Sequence, residues 1–433
     1  MVRKILLAAS VIAALFAALI FSGRLPIGGS SQQAPEGTVV MWGVFPDSEM
    51  ASIIQPFNAQ AKTYNISYTY VPPNVFENKL VEALASGQGP DVILAPYQII
   101  LSQSSRLYPF PVDSFTEKMY KDAYLDGASV FWTPYGALAL PVAIEPMVLF
   151  FNRTLLSKHG ISAPPTYWDE ITKNSPALTI ETTSGGFLES GIALGTETVP
   201  YIKDIIMAMI GQLGQVPVLP TYQSDGAIMY DVLVNDPVVL GGDVLPLTST
   251  MRFIMQFSDP LKSTYTWSQF AGNATDQFVA ERLAMYIGYA GELPVLRARN
   301  PRMDIDMTYL PQMKGYNTFS TGMRLYGIAT IRQTKNPSAA LSVQAQLGGA
   351  AWSPLIAPLV GASPALRGYV NTPGLSEIVK NSLLVTRGWY DIRSQSTDAL
   401  VGVMISDILS GKEGLVDAVG SFVARFIDLY NRR

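Results

Sequence analysis

Few residues in this 433-residue chain can do covalent chemistry. It has no cysteine, which removes thiolate nucleophiles, disulfides and Cys-based zinc sites. Its single histidine, His159, leaves no His-x-x-x-His pair for zinc, and any Ser-His-Asp mechanism would have to run through it. What stands out is a carboxylate. Glu145 interrupts the apolar run "VAIEPMVLFFN" (Val142 to Asn152) and is followed at once by Pro146. An unpartnered buried carboxylate is costly, and proline gives up a ladder hydrogen bond in a central strand. Glycoside hydrolysis would require a second carboxylate roughly 5–10 Å from the first, and the sequence identifies none for Glu145.

The elements that must position such residues read as α/β. "GTVVMWGV" (Gly37 to Val44) is a short apolar strand of the kind buried on both faces of a parallel sheet. Asp47 or Ser48 can cap a following helix with Met50, Ile53, Ile54 and Phe57 on one side, and Pro56 is expected to bend or split it. "NISYTYV" alternates as a second strand, and the next helix opens on an Asn74–Glu77 capping box and ends at Gly87. "PDVILA" is a third strand, completing a strand–helix alternation. Further helices are marked by Ile202, Ile205, Ile206, Met209 and Leu213, by Asn336-Pro337, and by Leu415, Val419, Phe422, Phe426 and Tyr430. In such folds ligand groups arise from loops at strand ends. That makes Trp42 and Asp47, after the first strand, and Tyr97 and Gln98, after the third, candidates for a site. Tyr201, opening a helix beyond "GTETVP", is another. Trp168 and Trp132 read as core, and His159 as an exposed turn residue.

Composition narrows the class. With 48% apolar and 15% charged residues the chain is globular, and its length suits two or three domains. Arg3 and Lys4 precede the apolar run Ile5 to Phe21, a secretory-signal layout without a small-x-small cleavage site. An uncleaved anchor with the body outside is expected, followed by the polar tether "GGSSQQAPEG". Setting aside Arg3, Lys4 and Arg24 leaves 27 basic against 34 acidic residues with no basic run, which argues against nucleic acid as a partner.

Five segments in order carry a resemblance. They are "LASGQGPDVILA", "NRTLLSKHGISAPPTYWDE", "FVAERLAMYIGY", "MTYLPQMKG" and "GWYDIRSQ". Together they resemble the extracytoplasmic solute-binding proteins of ABC importers, in the class of maltose-binding protein, over about Val39 to Arg433. Glu281-Arg282 stands where that class usually has Gly-Lys. The resemblance implies a bilobed, type II periplasmic-binding-protein-like α/β fold with three hinge crossings. Residues 1–36 would be signal or anchor and tether, 37–143 plus 313–353 one lobe, and 144–312 plus 354–433 the other. "VAIEP" would fall on the first crossing, with Pro146 at a strand's start and Glu145 meeting ligand hydroxyls. Tyr289 and Trp389 would match sugar-stacking tryptophans, Arg393 a sugar-contacting arginine, and Asp91 a structural residue. The implied function is capture of a carbohydrate, in particular an oligosaccharide, by interlobe closure, for delivery to ABC permease subunits. The protein would act as a monomer, without catalysis, cofactor or metal. A non-sugar solute (an anion, polyamine or peptide), a sensor role and a two-carboxylate glycoside hydrolase stay open as alternatives.

Overall fold

A computed structural model describes residues 37–61, 64–183, 185–223, 228–239 and 243–431. The expected anchor and tether, residues 1–36, lie outside them. The elements that matter below are β1 (Gly37–Gly43), α1 (Asp47–Gln60), β2 (Tyr64–Tyr70), α2 (Pro73–Ala85), β3 (Val92–Pro96), β4 (Leu140–Asn152), β5 (Phe187–Ile192), α3 (Ile202–Gln212), β6 (Leu283–Tyr289), β7 (Ile305–Tyr309), β8 (Met323–Ile331), α4 (Ser394–Leu409) and α5 (Leu415–Asn431). They belong to two compact units. The first contains the described residues up to Ile144 together with Leu325–Thr372, the second Glu145–Arg324 with Pro373–Arg433. The chain thus passes between units three times, at 144/145, 324/325 and 372/373, where the sequence reading placed the changes at 143/144, 312/313 and 353/354. "MTYLPQMKG" stays in the second unit because Gln312 is tied there, its backbone N–H donating to the Thr166 carbonyl (3.0 Å) and its side-chain amide to the Ser320 carbonyl (3.1 Å). Residues 354–372 stay in the first unit because Ser363 and Pro364 pair with Ile144 and Ala143, and Arg367 donates to the Tyr124 carbonyl at 2.9 Å.

In the first unit β2, β1 and β3 form a parallel sheet, and β8 adds antiparallel to β3. Asp91 is structural: its carboxylate accepts from the Val40 N–H (2.9 Å) and the Thr334 hydroxyl (2.5 Å), joining the entry of β3 to its neighbours. Two expected caps are absent. Asp47 lies inside α1, behind Pro46, and accepts from the Tyr70 N–H at 3.0 Å instead. Asn74 is already inside α2, which starts at Pro73, and Glu77 takes the Ser102 hydroxyl. In both cases the prolines preset the helix entry, so no side-chain cap is used. Pro56 does not split α1; it sits on the solvent side while Met50, Ile53, Ile54 and Phe57 are buried.

The second unit is built on β4 from Glu145 onward, the later part of an unbroken strand of 13 residues, every one buried. β6 pairs with it antiparallel over Met147 to Phe151 and β7 over Val148 to Asn152, while β5 joins β6 in parallel. Pro146 is therefore not at the strand's start, as read from sequence, but midway along it. The missing N–H is accommodated because antiparallel partners change over here: Ser363–Pro364 ends opposite Ile144, and β6 begins opposite Met147. Asn152 ends β4 and caps the next helix by accepting from the Leu155 N–H at 3.1 Å. Trp168 is core as expected, 2% exposed, donating to the Gln212 side chain at 2.8 Å; Trp132 is half-buried. His159 is not an exposed turn residue. It is half-buried with Nε2 2.7 Å from Glu189, and Lys158 and His159 hold that carboxylate below its ordinary pKa.

Glu281 adopts φ 58, a left-handed conformation that costs a side-chain-bearing residue where glycine is free of strain. Its carboxylate accepts from Asn300 at 3.3 Å and Asn152 at 3.4 Å, which offsets that cost.

Gly136 tests the first unit's packing. It has φ +119, and an added Cβ would lie 2.1 Å from the Phe110 carbonyl oxygen. Gly136→Ala should destabilise the protein by at least ~1–3 kcal/mol in denaturant unfolding; an unchanged midpoint would show that this turn is built differently.

Candidate functional site

Glu145 is 2% exposed, and its Oε2 has no hydrogen-bond partner. The charge facing it is Arg324, on the short piece of β8 that remains in the second unit; Nη1 lies 3.8 Å from Oε2. That distance gives Coulombic attraction but is too long for a hydrogen bond. Burial pushes the Glu145 carboxyl up to about 7; Arg324 and the Gly291 backbone N–H pull down, and the Glu292 charge pushes up. Desolvation wins because the guanidinium stops short of contact.

Two tyrosines hold Arg324. Its guanidinium carbon is 4.0 Å from the Tyr289 ring centroid and 4.7 Å from that of Tyr201. The rings meet edge to face, 5.1 Å apart at 74°, so the cation sits in the corner they make. Tyr289 ends β6, donates its hydroxyl to Asp204 at 2.8 Å, and gives its N–H to Glu292 at 2.8 Å. Glu292 also accepts from the Tyr286 hydroxyl at 2.9 Å, and burial raises the pKa of Tyr286. Tyr201 precedes α3 with φ 59, one of two non-glycine residues in the left-handed region among the described residues. That conformation turns its ring towards Tyr289. Burial also raises the Tyr201 pKa, opposed by Arg324.

A second polar cluster braces this one from the C-terminal segment. Lys203, in the first turn of α3, reaches Asp391 at 2.6 Å, the Ser394 hydroxyl at 2.6 Å and Asp398 at 3.3 Å. Burial alone would lower the Lys203 pKa, but Asp391, Asp204 and Asp398 outweigh it and keep the ammonium charged. The effect is to pin the segment "WYDIRS" to the start of α3.

The structure thus brings together Glu145, Tyr201 and Tyr289 of the residues singled out from sequence. The surroundings of each of the others can be read within its own unit. Trp389 is 6% exposed and packs on Phe426 with ring centroids 6.2 Å apart, so it is an internal anchor and not a free stacking face. Tyr289 is 1% exposed, with Arg324 over its ring. Arg393 is exposed at the N-cap of α4 and contributes its carbonyl to Thr397. Trp42, Asp47, Tyr97 and Gln98 belong to the first unit. Trp42 is half-buried within β1 and not beyond it, Asp47 is exposed, Tyr97 is 3% exposed, and Gln98 is half-buried. Sequence reasoning missed Arg324, Asp204 and Glu292. Arg324 carried the same signal as Glu145, a lone charge in an apolar strand ("GMRLYGIATI"), and could have been found by it. The described residues contain no group of three or more metal-ligating side chains and no helix long and apolar enough to cross a membrane.

Comparison with known proteins agrees with this architecture. A family model described as "Bacterial extracellular solute-binding protein" matches residues 43–345. The chain belongs to that family. It is similar in structure to a cyclo/maltodextrin-binding protein complexed with maltotetraose, at TM-score 0.72 and 15% identity over 92% of this chain and 98% of that one. A cyclic alpha-maltosyl-1,6-maltose binding protein from Arthrobacter globiformis gives TM-score 0.71 at 14% identity, over 92% of this chain and 99% of that one. The sugar-binding protein MalE of Xanthomonas citri gives TM-score 0.69 at 14% identity, over 91% and 97%. At such identities these likenesses establish the α/β fold of this solute-binding family. In sequence, a binding protein of Brucella abortus (strain 2308) is 24% identical over 129 residues; the match spans 28% of this chain and 30% of that protein's length.

Two outcomes follow from the geometry. A carboxyl with a raised folded-state pKa costs stability once it must ionise, so Glu145 should lower the unfolding free energy as pH rises from 4.5 to about 7. Glu145→Gln should remove that slope, a difference on the order of 3 kcal/mol at most, read from denaturant unfolding of both proteins across this range. Trp389→Ala should cost about 3–5 kcal/mol of stability, as loss of a core anchor does; an unchanged melting temperature would return Trp389 to the surface.

Proposed function

We infer that this solute-binding protein captures a carbohydrate, in particular an oligosaccharide, outside the cytoplasm and delivers it to ABC permease subunits. The Glu145 cluster supplies its ligand contacts in the second unit. A sugar offers hydroxyls and weakly apolar ring faces, which call for planar acceptors and donors beside flat aromatics. Glu145 with the Tyr201 and Tyr289 rings is that set. The single observation that carries the reading is the buried Glu145 Oε2 with no hydrogen-bond partner. Such an acceptor is costly in the ligand-free protein, and a ligand hydroxyl would satisfy it. The structural relatives, named for maltodextrins and cyclic maltosides, support a carbohydrate over other solutes.

Binding by such a protein needs no bond to form or break, in keeping with one histidine and no cysteine. The motion the reading calls for is movement of the two units about their three connections, favoured only as far as ligand prefers the closed form. An uncleaved N-terminal anchor and a monomeric body complete the proposal.

Thermal-shift screening of the body from Gly37 onward against maltotriose, cellotriose and xylotriose tests it, since a ligand of the native state raises apparent stability. At least one sugar should raise the melting temperature. Glu145→Ala should then weaken that sugar's affinity by about 1–3 kcal/mol, roughly five- to 150-fold in calorimetry. Unchanged affinity would remove Glu145 from the site, and silence across the panel would count against a carbohydrate.

A further inference from the structure

Arg324 is the least expected member of the cluster. Its side chain is 32% exposed, whereas the Glu145 side chain is 3% exposed and Tyr289 is 1% exposed. The guanidinium therefore lies on the outer side of groups that are otherwise shut from solvent. It rests on the Tyr289 ring at 4.0 Å, on the Tyr201 ring at 4.7 Å, and faces the partnerless Glu145 Oε2 at 3.8 Å without bonding to it. A guanidinium is flat, stacks on aromatic faces and presents several donors to carboxylates. Those are also the properties of a sugar ring edged with hydroxyls. The same corner cannot hold both.

We propose that Arg324 is an internal competitor of the ligand, occupying the Tyr201–Tyr289 corner above Glu145 and leaving it when a sugar ring binds. This inference rests on the carbohydrate reading above, and makes Arg324 a specificity-determining residue. A ligand must recover the cation–π and Coulombic contacts and the Tyr201 hydrogen bond that Arg324 gives up, so only one that both stacks on the tyrosines and donates to Glu145 displaces it. Weakly stacking polyols are rejected. The loose 3.8 Å approach matters here, because a bidentate Arg324–Glu145 pair would be far harder to open.

The test uses Arg324→Ala and the milder Arg324→Gln, each confirmed folded by circular dichroism, with the panel trisaccharide that gives the largest shift. Both variants should bind that sugar at least fivefold tighter than the parent. Methylguanidine, which can refill the vacated corner, should raise the melting temperature of Arg324→Ala more than that of the parent, and should weaken the variant's sugar binding competitively. Equal or weaker sugar binding by both variants overturns the proposal while leaving the carbohydrate reading intact. Failure of methylguanidine to compete overturns it as well. Binding of the sugars to neither parent nor variants rejects the carbohydrate reading, and the competitor role with it.

Discussion

A carboxylate and a guanidinium set into apolar strands, close enough to attract but not to bond, are the constraint around which the second unit is arranged. Glu145 is the first residue of that unit after the chain enters it, and Arg324 the last before the chain leaves. Each comes from a strand whose other residues are almost all apolar. Buried charges persist only where something compensates for lost hydration. For Arg324 the compensation is two tyrosine faces and partial access to water. For Glu145 it is incomplete, and burial pushes its carboxyl up to about 7.

The surroundings serve that pair. Tyr201 holds a left-handed backbone at the head of α3, and Tyr289 is fixed at the end of β6 by Asp204 and Glu292. Backbone strain of this kind costs of order 1–3 kcal/mol and survives where the surrounding structure over-determines it. Here the determinants are Lys203 and its carboxylates, which lock the start of α3 to the C-terminal segment. The cluster is thus held from α3, β6, β8 and the C-terminal region at once.

Much of this was legible beforehand. Strand and helix periodicity gave the β1–α1–β2–α2–β3 order, and the apolar faces of α1, α3 and α5 pack as their spacing implied. The lone Glu145 pointed to the cluster. The rest depended on contacts between residues distant in the chain. Trp389 has the composition of a stacking residue, but only packing against Phe426 decides that it is core. Asp47 and Asn74 look like caps by type, and prolines immediately before them take the entry positions. Pro146 suggested a strand's beginning because the change of ladder partners beside it comes from Ser363, over 200 residues away in the chain. Arg324 is readable by the logic applied to Glu145, although "GMRLYGIATI" shows no other sign of a site.

The most direct measurement is a carbon-13 NMR titration of the Glu145 carboxyl, assigned by its loss in Glu145→Gln, with and without the panel trisaccharide. A midpoint near 7 in the free protein, displaced when the sugar saturates the site, is the expected result. A midpoint in the ordinary carboxylate range, the same with and without sugar, would mean that Glu145 is solvated, satisfied and remote from any ligand.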